Sequence, residues 1–159
     1  MEPVAGLRGS ARFYPILALR RQPWLSKGRI VLPHIIIEYS ANLEPKLEIA
    51  KLVEKVHAAA AGTGVLELGG LRTRAERRDV YRVADGLPGN AFVFVVLRIR
   101  PRTVEQHKKL GQAVFEACSK HLDPLYATME IALSLEVQLL DPDLTYRRNN
   151  LHDRLRAAE

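Results

Sequence analysis

The same order of extended and helical patterns occurs twice in this chain, and this repetition limits the folds that it can adopt. Three of the six residues at 34–39 are β-branched isoleucines, which is typical of a strand, and apolar residues follow at helical spacing over 49–60. A second apolar strand at 91–99 and a second helical pattern at 103–118 begin about 58 residues later. The pattern predicts an α/β (α+β) fold with a duplicated β-α-β unit and a four-stranded mixed sheet, with both helices on one face.

The segments between these elements predict the remaining strands and the ends of the helices. Residues 65–74 and 79–84 favour extended structure, and the cluster at 85–90 is typical of a turn, which predicts a hairpin. A long closing strand is expected at 129–140, followed by a polar tail that ends in a short helix. Strands at the two edges of such a sheet need cover, which favours an oligomer.

Two local signals predict where the helices begin. Asn42, followed by Glu44 and Pro45, is a suitable N-cap for the first helix. Thr103 and Gln106 match a capping box at the start of the second.

The basic charge of the chain is confined to its first residues. Residues 1–32 hold six basic residues and one acidic residue, whereas residues 33–159 hold 18 basic and 17 acidic residues. The net charge of +6 is therefore a property of the N-terminal segment and does not indicate a nucleic-acid-binding domain. The segment also lacks sustained helical or strand periodicity, and the chain has no apolar run long enough to span a membrane. We expect no nucleic-acid or membrane partner.

The first 32 residues allow four interpretations, and the residues alone leave all four open. They are Arg-rich and acid-poor like a transit peptide, but Pro3, Pro15 and Pro23 interrupt an amphipathic helix. The apolar stretch is short for a secretory signal. The segment could instead bind an acidic partner, or it could be upstream sequence that is included because the start codon was placed too early. The domain division is thus 1–32 as an extension and 33–159 as the folded domain.

Several kinds of catalytic site are excluded by residue spacing. The five histidines form no metal-ligand motif, and neither a phosphate-binding loop nor a serine nucleophile motif is present. His57 and His107 are expected at the surface or its boundary, and Cys118 on the apolar face of its helix. We therefore predict neither a metal nor a cofactor. A single cysteine excludes internal disulfides and is consistent with a cytoplasmic protein.

Arginines are concentrated near the predicted strand ends. Arg72 and Arg74 end the second extended segment, and Arg98, Arg100 and Arg102 alternate from a strand into a loop. Because arginine binds carboxylates through paired hydrogen bonds, such a set would suit a small polycarboxylate. The alternative is a solvated basic edge without a ligand.

A resemblance to a known family gives these arginines a context. Residues 32–43, LPHIIIEYSANL, resemble the mature N-terminus of the 5-carboxymethyl-2-hydroxymuconate isomerases, members of the tautomerase superfamily that begin with Met-Pro-His. The resemblance extends over 33–159, and further short matches occur in the same order. They are residues 71–74, 84–86, 91–93, 134–136 and 149–152.

The resemblance implies an enzyme that moves a proton without a cofactor. Pro33 would be the catalytic base once it is N-terminal, because a free secondary amine can accept a proton and an internal proline cannot. Arg72 would stabilise charge on the substrate, whereas Arg74 and Arg102 would bind its carboxylates and Ile35 and Phe94 would form apolar walls. The start at 32–33 favours the upstream-sequence interpretation of the extension.

The implied reaction is enol–keto isomerisation of a tricarboxylate in homoprotocatechuate (4-hydroxyphenylacetate) degradation, by a cytoplasmic homotrimer. Two alternatives remain. One is another tautomerase-superfamily enzyme, such as a dehalogenase or decarboxylase. The other is a non-catalytic β-α-β binding module in which Pro33 stays blocked.

Overall fold

A four-stranded mixed sheet forms the centre of the protein. The computed structural model describes residues 32–44, 46–146 and 148–157. The strands are β1 (His34–Ser40), β2 (Arg72–Arg78), β3 (Asn90–Ile99) and β4 (Glu130–Leu139), in the order β2-β1-β3-β4. The helices are α1 (Ile49–Gly62), α2 (Val104–Leu122) and the short α3 (Leu151–Arg156).

The strand directions confirm the predicted duplication. β1 is parallel to β2 and β3 is parallel to β4, each pair being joined through one long helix, and β1 meets β3 in antiparallel orientation. As a result, the starts of β1 and β2 and the ends of β3 and β4 lie at one end of the sheet. His34 is opposite both Arg72 and Arg98 in the register.

One face of the sheet carries the hydrophobic core. Alternate residues of β1 and β3, including Ile35, Ile37, Val93 and Val95, are fully buried beneath α1 and α2. Each such side chain contributes roughly 1.5–3 kcal/mol through its burial, which fixes the strand register because a slip by one residue would expose the whole set. The predicted placement of both long helices on one face is confirmed.

The opposite side of the sheet, called the outer face below, is turned away from α1 and α2. In the register, Ile36 on β1 lies beside Val96 on β3, and Phe94 follows on the same side. Ile36 and Val96 are 9% and 6% exposed, yet neither belongs to the core beneath the helices. This face therefore has an apolar centre of its own.

The strand predicted at 79–84 and the hairpin that it would form are absent. The strand before it, β2, runs from Arg72 to Arg78 and so begins later than the extended segment predicted at 65–74. The segment 79–84 is a loop in which Val80 is almost fully exposed, while the Tyr81 ring packs edge-to-face on Phe92 with centroids 5.9 Å apart. Val80 and Tyr81 favour strands, but no strand among the described residues lies beside this segment for it to pair with.

Helix starts were predicted correctly for α2 and wrongly for α1. Thr103 and Gln106 form the complete capping box, with the Thr103 hydroxyl accepting from the Gln106 backbone N–H at 3.2 Å. In contrast, α1 begins at Ile49, and Asn42 lies in a 3-10 turn. The Asn42 amide donates to the carbonyl oxygen of Asn90 at 2.9 Å, so this side chain joins two chain segments and does not cap a helix.

The tail ends in the predicted short helix, α3. Among the described residues, no helix combines the length and the apolar character that crossing a bilayer requires.

Candidate active site

Pro33 lies at the end of the sheet where the arginine-bearing strand ends meet. It immediately precedes β1 and is buried, and its carbonyl accepts a hydrogen bond from the Arg72 backbone N–H at 3.0 Å. The pairing of β1 with β2 thus holds Pro33 and Arg72 together. Arg102 reaches the same end from the loop that follows β3.

The absence of a side chain at Gly70 leaves room for three residues, Pro33, His152 and Leu32, to lie close to its backbone. A Cβ atom on Gly70 would lie 3.2 Å from Pro33 Cδ, 3.7 Å from His152 Nε2 and 3.7 Å from Leu32 Cδ2. A methyl group at this position would press directly on the proline ring. The backbone of Gly70 therefore forms the floor around which Pro33, His152 and Leu32 gather.

Arg72 is anchored to the same floor. Its guanidinium Nη1 donates to the Gly70 carbonyl oxygen, and its side chain is half-buried. Arg74, two residues further along β2, is exposed and forms an ion pair with Glu76 at 2.8 Å. Its Nη1 also lies 3.4 Å from His34 Nδ1. Of the two arginines Arg72 and Arg74, Arg72 is therefore the one that contacts Gly70, the residue that packs against Pro33.

The pKa of His34 is affected by the positive charge at this end of the sheet. Burial lowers the pKa of His34 below its ordinary value, and the nearby cations of Arg74, Arg72 and Arg98 lower it further. Three arginines around one imidazole create a positive potential that suits an anionic ligand.

Arg102 is half-buried and has an unused hydrogen-bond donor. Its Nε has no partner among the described residues, while its backbone N–H donates to His107 Nε2 at 3.0 Å. Burial and the neighbouring Arg100 cation lower the pKa of Arg102, and the Glu67 carboxylate acts in the opposite direction. A buried guanidinium with a free N–H is well suited to bind a carboxylate.

The two predicted apolar walls lie on opposite sides of the sheet. Ile35 is fully buried in the core beneath the helices, whereas Phe94 projects from the outer face between Glu38 and Ser134. Side chains of successive strand residues alternate between faces, so Pro33 and Ile35 share a side and Phe94 does not. The structure therefore does not bring Ile35 and Phe94 together.

The histidine and cysteine assignments agree with the structure. His57 and His107 are partly buried on helices, and each has a hydrogen-bond partner, the Thr73 hydroxyl for His57 and the Arg102 backbone N–H for His107. Cys118 is fully buried, and burial raises the pKa of its thiol to about 12. The thiolate required of a nucleophile is therefore disfavoured.

Sequence reasoning missed two residues at this site, Glu67 and His152. His152 Nδ1 lies 3.7 Å from the Glu67 carboxylate, and the side chain of Asn149 donates to the Gly69 carbonyl oxygen at 3.0 Å. The family match at residues 149–152 indicated that the tail belongs to the domain. The periodicity of the sequence, however, cannot show that the tail folds back onto the start of a strand.

Comparison with known proteins defines first a class and then a family. The fold is that of a known isomerase, and the expected fold class is confirmed. A crystal structure of a 5-carboxymethyl-2-hydroxymuconate isomerase from Deinococcus radiodurans R1 superposes with a TM-score of 0.74 at 31% identity, covering 79% of this chain and 96% of that chain. A family model for 5-carboxymethyl-2-hydroxymuconate isomerase matches residues 33–155, and the chain belongs to this family.

Two further relatives agree with this assignment. The 5-carboxymethyl-2-hydroxymuconate Delta-isomerase of Escherichia coli is 34% identical over 122 residues, which cover 76% of this chain and 97% of the relative. A second crystal structure, of a 5-carboxymethyl-2-hydroxymuconate delta-isomerase, has a TM-score of 0.71 at 24% identity, covers 79% of this chain and 94% of that chain, and supports the fold. The protein is an isomerase.

Proposed function

We propose that the protein converts 5-carboxymethyl-2-hydroxymuconate into its 2-oxo isomer with Pro33 as the base, as a step in homoprotocatechuate degradation. The family supplies the reaction class, and the substrate is that of its named relatives. The observation that carries the assignment of the base is the position of Pro33. It is buried where the arginine-bearing strand ends meet, and the family match begins at this residue.

The base must be a free amine. In a chain that includes Leu32, the Pro33 nitrogen is part of an amide and its lone pair is delocalised onto the carbonyl. The active species therefore begins at Pro33, and residues 33–159 are the isomerase domain. A buried site and the cations of Arg72 and Arg102 both lower the pKa of the free amine, which increases the unprotonated fraction near neutral pH.

The proton balance of the reaction requires only one carrier. The Pro33 amine takes the proton of the substrate 2-hydroxyl, the C=C bonds shift as the 2-oxo group forms, and the amine returns a proton to carbon. Arg72 stabilises the charge that develops on the 2-oxygen, because that charge is larger in the transition state than in the bound substrate. Arg102 and Arg74 bind carboxylates of the substrate.

Two forms of the protein test this proposal. We expect a chain that starts at Met1 to be nearly inactive, and a chain made as Met-Pro33 and processed to free Pro33 to be active. An unperturbed secondary amine has a pKa of about 9. The kcat/KM of the short form should rise with pH through a single pKa well below that value. Intact mass must establish which residues are attached. Equal activity of a chain that retains residues 1–32 would rule out Pro33 as the base.

The assembly proposed for the enzyme is a cytoplasmic homotrimer. The two edge strands, β2 and β4, have backbone edges that a second copy could cover. The free thiol of Cys118 is consistent with a reducing compartment.

A further inference from the structure

We infer that His152 is a positioning residue of the active site, whose Nε2 accepts a hydrogen bond from the free Pro33 amine while Glu67 orients the ring. The inference rests on the proposed role of Pro33 as a free amine. It assigns a function to the C-terminal tail, which starts at the far edge of the sheet and returns to the site.

The first observation is an unsatisfied nitrogen. The side chain of His152 is only 12% exposed, and its Nε2 is buried without a hydrogen-bond partner among the described residues. Because leaving a buried polar atom unpaired destabilises the fold, a partner is expected in the functional state. Nε2 and Pro33 Cδ both lie within 4 Å of the position that a Cβ on Gly70 would occupy.

The second observation is the charge on the other side of the ring. The Glu67 carboxylate lies 3.7 Å from His152 Nδ1, which favours the tautomer that carries its proton on Nδ1. Nε2 then has a lone pair and can only accept. The amine of an N-terminal proline is a suitable donor, because its protonated form carries two N–H groups.

The third observation is the space that Leu32 occupies. Leu32 Cδ2 lies in the same shell around Gly70 as Pro33 Cδ and His152 Nε2. Loss of Leu32 would empty this space and replace the Pro33 amide with an amine. Removal of Leu32, which creates the amine donor, would thus also remove a side chain that lies close to His152 Nε2.

The ring is held in place from two directions. A Cβ on Gly69 would lie 2.7 Å from His152 Nδ1, so this glycine is needed for the ring to reach its position. The Asn149 side chain donates to the Gly69 carbonyl oxygen, and its own oxygen accepts from the Leu151 backbone N–H at 2.9 Å. The start of α3 is thereby tied to the loop beneath Pro33.

These contacts predict a shift in the pKa of the amine. The charged groups around the amine act in opposite directions. The cations of Arg72 and Arg102 and the other arginines beside His34 lower the pKa of the amine, whereas the Glu67 carboxylate and an accepting His152 Nε2 raise it. Because a hydrogen bond to the protonated form stabilises that form, removing the acceptor should lower the pKa of the amine by about one pH unit.

The experiment measures the amine directly in the short form, uniformly labelled with 15N-proline, because only an N-terminal proline nitrogen titrates. We expect His152→Leu to lower the amine pKa by about one pH unit and the plateau kcat/KM about tenfold, as the amine loses its orientation. His152→Gln should keep the amine pKa and the plateau kcat/KM close to the wild-type values, since its amide oxygen can replace Nε2 as an acceptor. Gly69→Ala, which displaces the ring, should reproduce the shift if His152→Leu folds poorly.

The matched control is His121→Leu. His121 also has a buried Nε2 without a partner among the described residues, but it lies beside Lys55 at the end of α2. The His121→Leu variant should leave the pKa of the Pro33 amine unchanged. An unchanged amine pKa in both His152→Leu and Gly69→Ala would overturn the inference, and so would equal values for His152→Leu and His152→Gln. The titration needs no turnover, so an inactive short form would refute the proposed function while leaving this test intact.

Discussion

Arg72 and Arg102 make different contacts, and we expect their removal to have different kinetic effects. Arg72→Ala should lower kcat/KM for the tricarboxylate dienol by about 1.5–3 kcal/mol, or roughly 10- to 150-fold, because in the proposed mechanism Arg72 stabilises charge at the reacting oxygen. Arg102→Ala should mainly raise KM, since a carboxylate far from the reacting atoms is bound similarly in the ground and transition states. Steady-state kinetics of the short form measures both.

Arg82→Ala is the matched control for these variants. Its guanidinium donates to the carbonyl oxygen of Asp85 in the loop at the opposite end of the sheet. Its kinetics should match those of the wild type. Wild-type kinetics in Arg72→Ala and Arg102→Ala as well would mean that the arginines form a solvated basic edge.

His34 gives a prediction for the pH dependence of stability. Its pKa is lowered in the folded protein from 6.5 by burial and by Arg74, Arg72 and Arg98. The unfolded chain therefore binds this proton more readily, so the contribution to stability is complete above pH 6.5 and is lost as the pH falls towards the folded pKa. In urea unfolding, the loss of stability between about pH 7.5 and 5.5 should be smaller in His34→Gln than in the wild type. An equal loss would show that His34 is not linked to folding.

At the scale of the elements, the start of α2 connects helix stability to the site. Thr103 caps α2 and directly follows Arg102. Thr103→Ala should lower the free energy of unfolding by about 1 kcal/mol and raise KM, because the backbone that carries Arg102 loses its anchor. Thr103→Ser keeps the accepting hydroxyl and should behave like the wild type. Denaturant unfolding that gives the same stability for both variants would contradict the role of the cap.

Elements whose signals are local were predictable from the sequence, and those fixed by distant contacts were not. The apolar β3 and the capping box of α2 were placed within one or two residues. The loop at 79–84 was mistaken for a strand because strand propensity does not reveal whether a neighbouring strand exists. Asn42 was mistaken for a cap because its amide instead binds the carbonyl of Asn90, 48 residues away.

The same distinction applies to the site. The position of Pro33 just before a strand could be expected from the sequence. Arg72 was expected at the end of the extended segment 65–74, but β2 begins at Arg72, and this start is what places it beside Pro33. The approach of Glu67 and His152 depends on the fold of the tail, and two glycines make it possible. Gly69-Gly70 was visible in the sequence, but only the structure shows that a histidine ring lies against Gly69.

For the whole molecule, the outer face provides a test of assembly. Phe94 is a partly buried residue of this face, whereas Phe115 is 41% exposed on α2. If the outer faces of three copies meet, Phe94→Glu should convert the trimer to monomers in sedimentation experiments, because a buried carboxylate without a partner is costly. Phe115→Glu, the same change on the helices, should leave the assembly intact. A wild type that sediments as a stable monomer at micromolar concentration would exclude the oligomer.

The antiparallel pairing of β1 with β3 gives the two β-α-β units an approximate twofold relation, so the sheet has two corresponding ends. At one end Pro33 precedes β1; at the other, Gly89 precedes β3 in the middle of the chain. The second end is filled by the Asp85 side chain and the amides of Asn42 and Asn90. The twofold relation would allow two equivalent centres, but a single chain has only one amino terminus. A trimer of this chain would therefore hold three centres where its internal symmetry has six positions, and the other three would be free to evolve as structural supports.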